Sequence, residues 1–239
     1  MQRLDLSRPT PEENLALDEA LHDEAEAGRL DDELLRLWQS PRPAVILGRS
    51  SRWEAEVDAA FCRARGIPIL RRTTGGASVV IGPGCLMYSL LVSQRRRPEL
   101  AAIDRAHRLV LTTVRDALAP LCGRIELAGT SDLTWQGLKF SGNSLRVRRE
   151  WILYHGTVLY RFPLELIAAC LRMPPRQPAY RQGRAHERFV GNLPITSEDA
   201  SAALAAAWQA DRPLAAWPQR ATAKLVAERY GSDEWNLRL

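Results

Sequence analysis

The stretch Arg71-Arg-Thr-Thr-Gly-Gly-Ala-Ser-Val-Val-Ile-Gly-Pro-Gly-Cys-Leu-Met-Tyr-Ser-Leu-Leu-Val92 places two arginines and a paired glycine ahead of an apolar run. Gly75-Gly76 lets a backbone approach a ligand closely, because glycine accepts positive φ and exposes its N–H with no Cβ in the way. Arg71 and Arg72 offer forked donors to phosphate or carboxylate oxygens. The competing reading is a hairpin turn flanked by two solvated arginines. The stretch fits neither Walker A nor G-x-G-x-x-G, since no helix follows it. Ile67–Leu70 reads as the strand entering it and Leu86–Val92 as the strand leaving it.

Working outward, Thr10-Pro11-Glu12-Glu13 has the form of a capping box with Pro at the first helical position, and predicts a helix over about residues 11–27. Glu33–Trp38 and Ala44–Gly48 read as strands around Ser-Pro-Arg-Pro, and residues 54–65 as a helix stopped by Gly66. Pro98 to Ala119 carries a helical apolar face. Residues 125–127, 132–135, 138–147 and 151–162 read as short, largely antiparallel strands. Helices follow at about 164–171, 197–209 and 220–229, with a polar, Arg-rich loop over 174–191. A structureless loop of that length is commonly functional. Irregularly mixed helices and strands without a repeat or linker predict one α+β domain over residues 1–239.

The chain has 239 residues, is 46% hydrophobic and carries a net charge of +5, the balance of an ordinary globular protein. No run is long enough to span a membrane and no secretory segment opens the sequence, so a cytoplasmic protein is expected. Cys62, Cys85, Cys122 and Cys170 are widely spaced, which suggests neither a disulfide framework nor a zinc site; no metal ligands cluster. The modest positive charge favours acidic partners or phosphates. The absence of a Lys/Arg block with interleaved aromatics speaks against nucleic acid. Of 33 Lys and Arg residues only Lys139 and Lys224 are lysines. A lysine kept in that background suits a task that needs a compact ammonium.

Lys139 lies in Ser131-Asp-Leu-Thr-Trp-Gln-Gly-Leu-Lys-Phe-Ser-Gly-Asn-Ser144, where strand alternation places Ser141 and Asn143 on its side. His155 and Thr157 share a face of the next strand. For His155 alone, a hydrogen-bonded structural role is the simpler reading.

Taken in order, Asn14-Leu-Ala-Leu-Asp-Glu19, Ile46-Leu-Gly-Arg49, Arg71–Gly76, Ser131-Asp-Leu, Leu138-Lys-Phe-Ser-Gly142, His155-Gly-Thr157 and Glu234-Trp-Asn236 resemble the lipoate–protein ligases of the biotin/lipoate ligase superfamily. The resemblance implies a fold like class II aminoacyl-tRNA synthetases and biotin ligases, with helices mainly on one side of a sheet. It implies two-step chemistry: lipoate or octanoate is activated by ATP with Mg2+ to an acyl-adenylate, then passed to a lysine of a lipoyl-acceptor domain. Lys139 would be the essential lysine. Arg71, Arg72, Thr74, Gly75, Gly76, Ala77, Ser78, Val79, Val80, Ser141, Gly142, His155 and Thr157 would hold ATP and the acyl-adenylate, with Arg72 on phosphate oxygens. The loop containing Arg181 and Arg184 would close over it and keep water out.

The chain departs from the family pattern at Ile81, Gly82 and Cys85, a change expected to alter the pocket lining. It also ends without the C-terminal accessory domain of several members, so it is either self-sufficient or served by a separate accessory subunit. The rival reading is an ATP-independent octanoyl or lipoyl transferase working through a cysteine thioester, with Cys85 or Cys122 as nucleophile. A third, of another class, is a non-catalytic carrier-handling protein.

Overall fold

A computed structural model describes residues 1–239. Strand β1 (Gln2–Asp5) opens the chain, a strand the sequence pattern hides among charges. Helix α1 (Pro11–Glu26) starts at the expected capping box: the Thr10 side chain accepts from Glu13 N and the Glu13 carboxylate accepts from Thr10 N. β2 (Leu34–Gln39) and β3 (Ala44–Leu47) follow. The helix expected over 54–65 is broken into α2 (Trp53–Glu56) and α3 (Ala59–Ala64). Val57 leaves the helix to bridge Leu171, and Asp58 recaps the second piece through Phe61 N.

β4 (Ile69–Arg71), β5 (Val79–Ile81) and β6 (Cys85–Ser93) come next. β4 and β5 are not a hairpin: each pairs with β3, in the order β4-β3-β5. The glycine stretch therefore crosses over a strand instead of turning between two. After a short 3-10 turn come α4 (Ile103–Cys122), β7 (Ile125–Ala128), β8 (Asp132–Trp135), β9 (Leu138–Val147) and β10 (Trp151–Leu159). The chain ends through α5 (Glu165–Cys170), α6 (Ser197–Ala207), β11 (Arg212–Pro213), α7 (Gln219–Leu225), a π-helical turn and α8 (Asp233–Asn236).

The large sheet runs β11-β1-β2-β6-β10-β9-β8-β7, antiparallel except for the β11-β1 and β1-β2 pairs. This is the expected α+β class, a mixed, largely antiparallel sheet with flanking helices, although the cover is two-sided. Leu35, Leu37, Leu90, Val92 and Ile152 on one face pack with Val110 and Val114 of α4 and Leu204 of α6. The alternate residues Leu34, Leu91 and Leu153 pack with Leu17 and Leu21 of α1, and the small sheet extends this second layer. Period-2 alternation on β2, β6 and β10 sorts the residues to the two faces. It sends His155 and Thr157 to the face covered by α1 and the small sheet. No helix is long and apolar enough to cross a membrane.

Candidate active site

Lys139 enters β9 immediately after the Gly137 turn, and its Nζ stands 2.8 Å from Asp132 Oδ1 on β8. The other oxygen of Asp132 accepts from the Tyr180 hydroxyl at 2.6 Å. The β8–β9 register slips between Leu133 and Thr134, opposite Phe140. That bulge changes which residues share the lysine's face. Lys139 Nζ lies over Gly142, where a Cβ would stand only 3.0 Å away. Ser144 reaches Gly75 O at 2.9 Å. Ser141 and Asn143, expected beside the lysine, leave its face at the bulge and bond to each other, and Asn143 also accepts from Tyr88, whose ring lies in the sheet core; both still line the cleft that holds Lys139.

The glycine loop is held from beneath. Gly48 passes so close to it that an added Cβ would lie 1.8 Å from Gly76 O. Arg72 is buried among the loop's own oxygens, donating to Ile46 O, Gly75 O, Ala77 O and Thr74 Oγ1. Burial lowers its pKa to about 10, offset in part by the Glu56 charge. Arg71 is fully buried and does not reach the loop's ligand side: it donates to Gly48 O, Ser51 O and Asn236 O, and Asn236 Oδ1 accepts from its backbone N–H. Neither arginine is solvated, and Arg71 joins the chain's C-terminal turn to β4.

Thr74 Oγ1 accepts the Arg72 hydrogen bond and also bonds His155 Nε2 at 2.7 Å. The other ring nitrogen, His155 Nδ1, stands 3.9 Å from Asp18 Oδ2. Burial holds the His155 pKa below its ordinary value, and the nearby Asp18 carboxylate only partly opposes this. Asp18 is itself bonded to Ser89 and to the buried Arg36. Burial raises its carboxyl pKa, but the Arg36 charge and the His155 contact outweigh this and keep it below the usual range.

These elements border one cleft. Its apolar end, about 120 Å³, is lined by Val80, Leu159, Ile167, Leu171, Phe189 and Val190. Its polar end, about 390 Å³, adds Gly76, Ser144 and His155. Both parts share Ala77, Ser78, Val79, Asp132, Lys139, Gly142, Thr157 and Arg176. Lys139 thus stands where an apolar tail would give way to a polar group. Gly75 borders an adjoining polar recess, and Thr74 acts one layer back through His155.

The 174–191 segment crosses this junction. Phe189 O accepts from Lys139 N and Lys139 O accepts from Gly191 N. The Arg181 and Arg184 guanidinium groups lie over Phe189 at 4.5 and 5.3 Å. Arg181 donates to Arg184 O and Arg184 to Tyr180 O, folding the segment onto itself, and Arg184 also donates to Gly137 O, tying it to the β8–β9 turn. Arg176, which the sequence reading passed over, is the exposed arginine of this segment that lines the cleft.

Ile81, Gly82 and Cys85 do not touch the cleft. Ile81 and Cys85 are fully buried in the small-sheet core, and Gly82 packs on Pro43 and Phe162. Burial pushes the Cys85 thiol up to about 12. Cys122 ends α4, its thiol also raised by burial, and its Sγ faces Leu118 O. Neither thiol lines the cleft. Asp18, Glu56, Asp132 and Ser144 were missed as site residues. Asn14, Asp18 and His22 are polar residues one helical turn apart on the buried side of α1, a spacing that marks a polar network under a helix.

Residues 10–206 match the family described as the lipoyl protein ligase A/B catalytic domain. The chain belongs to this lipoyl protein ligase A/B family. Among its relatives is the octanoyltransferase LipM of Kyrpidia tusciae, 27% identical over 94% of each chain. A putative lipoate-protein ligase A of Aeropyrum pernix is 33% identical over 63% of this chain and 54% of its own length. A bi-partite lipoate protein ligase of Thermoplasma acidophilum, studied together with its E2 lipoyl domain, superposes with a TM-score of 0.83 at 22% identity, covering 99% of this chain and 95% of that one. The family unites lipoate and octanoate attachment, and this fold is that of lipoate-protein ligases.

Proposed function

We propose that this member of the family is an ATP-dependent lipoate or octanoate ligase acting on a lipoyl-acceptor domain. The observation that carries the reading is Lys139: its ammonium stands between an apolar pocket and a polar cleft that no thiol lines. In the first step a carboxylate oxygen of the fatty acid bonds to the α-phosphorus of MgATP, the bond to the bridging oxygen breaks, and pyrophosphate leaves. In the second, the acceptor lysine's amine bonds to the acyl carbon, AMP departs with the carboxylate oxygen, and the amine loses a proton. Charge accumulates on phosphoryl oxygens in the first step and on the acyl oxygen in the second. A preorganised ammonium stabilises both by several kcal/mol. Mg2+ would accompany the nucleotide and supply charge neutralisation on its phosphates; Asp132, the carboxylate paired with Lys139, would be the cleft residue placed to support it.

A second reading, octanoyl transfer without ATP, is favoured by the near full-length match to octanoyltransferase LipM. It requires a thiolate within reach of the acyl carbon, and Cys85 and Cys122 lack that position. With lipoate or octanoate and ATP, pyrophosphate release is expected from the chain alone or with an accessory subunit. It should fall at least ~100-fold in Lys139→Ala, the loss typical of removing a transition-state charge partner. It should persist in Cys85→Ser and Cys122→Ser. Acyl transfer from an acylated carrier without ATP, abolished by either Cys→Ser change, would overturn the ligase reading.

A further inference from the structure

Beyond the cleft, five arginines converge where α1, β9 and the C-terminal turn meet. Glu19 of α1 is buried and accepts from Arg146, Arg229 and Tyr230, with Arg148 3.7 Å away. Arg148 also bonds Asp23. Arg229 and Arg238 lie against the Trp235 ring at 4.5 and 4.0 Å, and Arg238 donates to Arg49 O. Five guanidinium groups face two carboxylates, leaving three positive charges in excess. Burial lowers the pKa of Arg146, with the neighbouring Arg148 charge acting in the same direction; burial does the same for Arg238, reinforced by Arg49 and Arg229. The two carboxylates do not neutralise the patch.

Its position follows from the bulge opposite Phe140. The same face of β9 carries Gly142 under the Lys139 ammonium, Ser144 at the glycine loop, then Arg146 and Arg148. Ser144 to Arg148 spans only about 13 Å of strand. That distance lies within the footprint of an ordinary protein contact of about 800 Å² a side. We propose that this arginine patch docks the acidic surface surrounding the target lysine of the acceptor domain, bringing that lysine over the rim at Ser144 and Gly75. The proposal rests on the acceptor named above. Arg and Trp together are what interface cores favour. A compact cluster beside the cleft mouth suits a folded domain better than the extended phosphate track of a nucleic acid.

The test is direct binding, independent of turnover. The full-length protein is titrated with a lipoyl domain bearing carboxylates beside its target lysine, with that domain after Asp/Glu→Asn/Gln neutralisation, and with a short DNA duplex. Arg49→Glu/Arg238→Glu, both at exposed positions, is expected to weaken binding of the acidic domain about tenfold at low salt, with the gap closing at high salt. The milder Arg49→Gln/Arg238→Gln pair should show a smaller shift in the same direction. Pyrophosphate release should be unchanged in both, which also reports intact folding. Unchanged affinity in the Glu pair, undiminished binding of the neutralised domain, or preference for DNA overturns the proposal. A wild-type protein that releases no pyrophosphate overturns the ligase reading and leaves the binding result to stand.

Discussion

At residue scale, the site depends on close approaches that only missing side chains permit. Gly48 and Gly76 come from different strand ends, and a Cβ on Gly48 would lie 1.8 Å from Gly76 O and 2.9 Å from its carbon. Backbone cannot yield as a flexible side chain does, so the glycine loop must move. Gly48→Ala is therefore expected to cost about 1–3 kcal/mol, the range for overpacking a tight site, and to lower pyrophosphate release at least tenfold. Gly75→Ala meets nothing within 4 Å, whereas Gly76 sits at φ +86°. Thermal unfolding of the two alanine variants at 48 and 75 checks this: equal melting temperatures would refute the argument. The sequence announced a glycine pair, but not that one member carries the strained φ and the other open space. Nor did it reveal that Arg71 and Arg72 are buried. A guanidinium reads as a surface charge until the carbonyls that surround it are known; for Arg71 those come from residues 48 to 51 and the C-terminal turn, and for Arg72 from Ile46 and the glycine loop itself.

At element scale, the 174–191 segment is tied to β9 by the two backbone bonds at Lys139, and Phe189 is the buried anchor between them. Its ring packs on Tyr180 at 5.3 Å and lies under two guanidinium groups. Phe189→Ala removes that anchor at about 3–5 kcal/mol. Faster amide exchange is expected across 174–190 while α4 stays protected. The released acyl-adenylate should then be lost to water more quickly, measured as pyrophosphate formed per acceptor modified. Unaltered exchange in the segment would show that the arginines and Tyr180 hold it without the ring. α4 was legible because its apolar spacing is dictated by burial, α1 because its capping box marks the start, and β6 because a continuous apolar run marks a strand buried on both faces. The break at Val57 was not, since a bridge to Leu171 overrides helix propensity there. β1 and β11 escaped because strands this short, at and next to the sheet edge, keep charged residues, and the bulge opposite Phe140 escaped because alternation alone cannot place an extra residue.

At the scale of the whole molecule, the motifs far apart in sequence converge because α1 and the small sheet pack on one face of the large sheet, where β8 to β10 present their site residues. The α+β class and the order of motifs were readable from the sequence, whereas the two-sided cover depends on packing that no local pattern encodes. The same packing buries all four histidines, His22, His107, His155 and His186. Burial lowers the pKa of each, and for His22, helped by the Arg148 charge, to about 4. The ordinary histidine value is 6.5. Below it the unfolded chain takes up protons that the folded chain refuses, so stability must fall as pH falls. The histidine contribution is complete above pH 6.5 and is lost toward each folded value. His22 alone accounts for about 3 kcal/mol between pH 6.5 and 4. Asp18, held below its ordinary 3.8, extends the loss at still lower pH. Urea unfolding between pH 7.5 and 4.5 should give a plateau above about 7 and then a slope steeper than the ~1.4 kcal/mol per pH unit of a single proton. His22→Gln retains an N–H for Trp151 O, the partner of His22 Nε2, and should flatten that slope by about one proton. Stability that holds constant or rises from pH 7 to pH 5 would contradict the neutral, buried state assigned to these histidines, including His155 beneath the glycine loop.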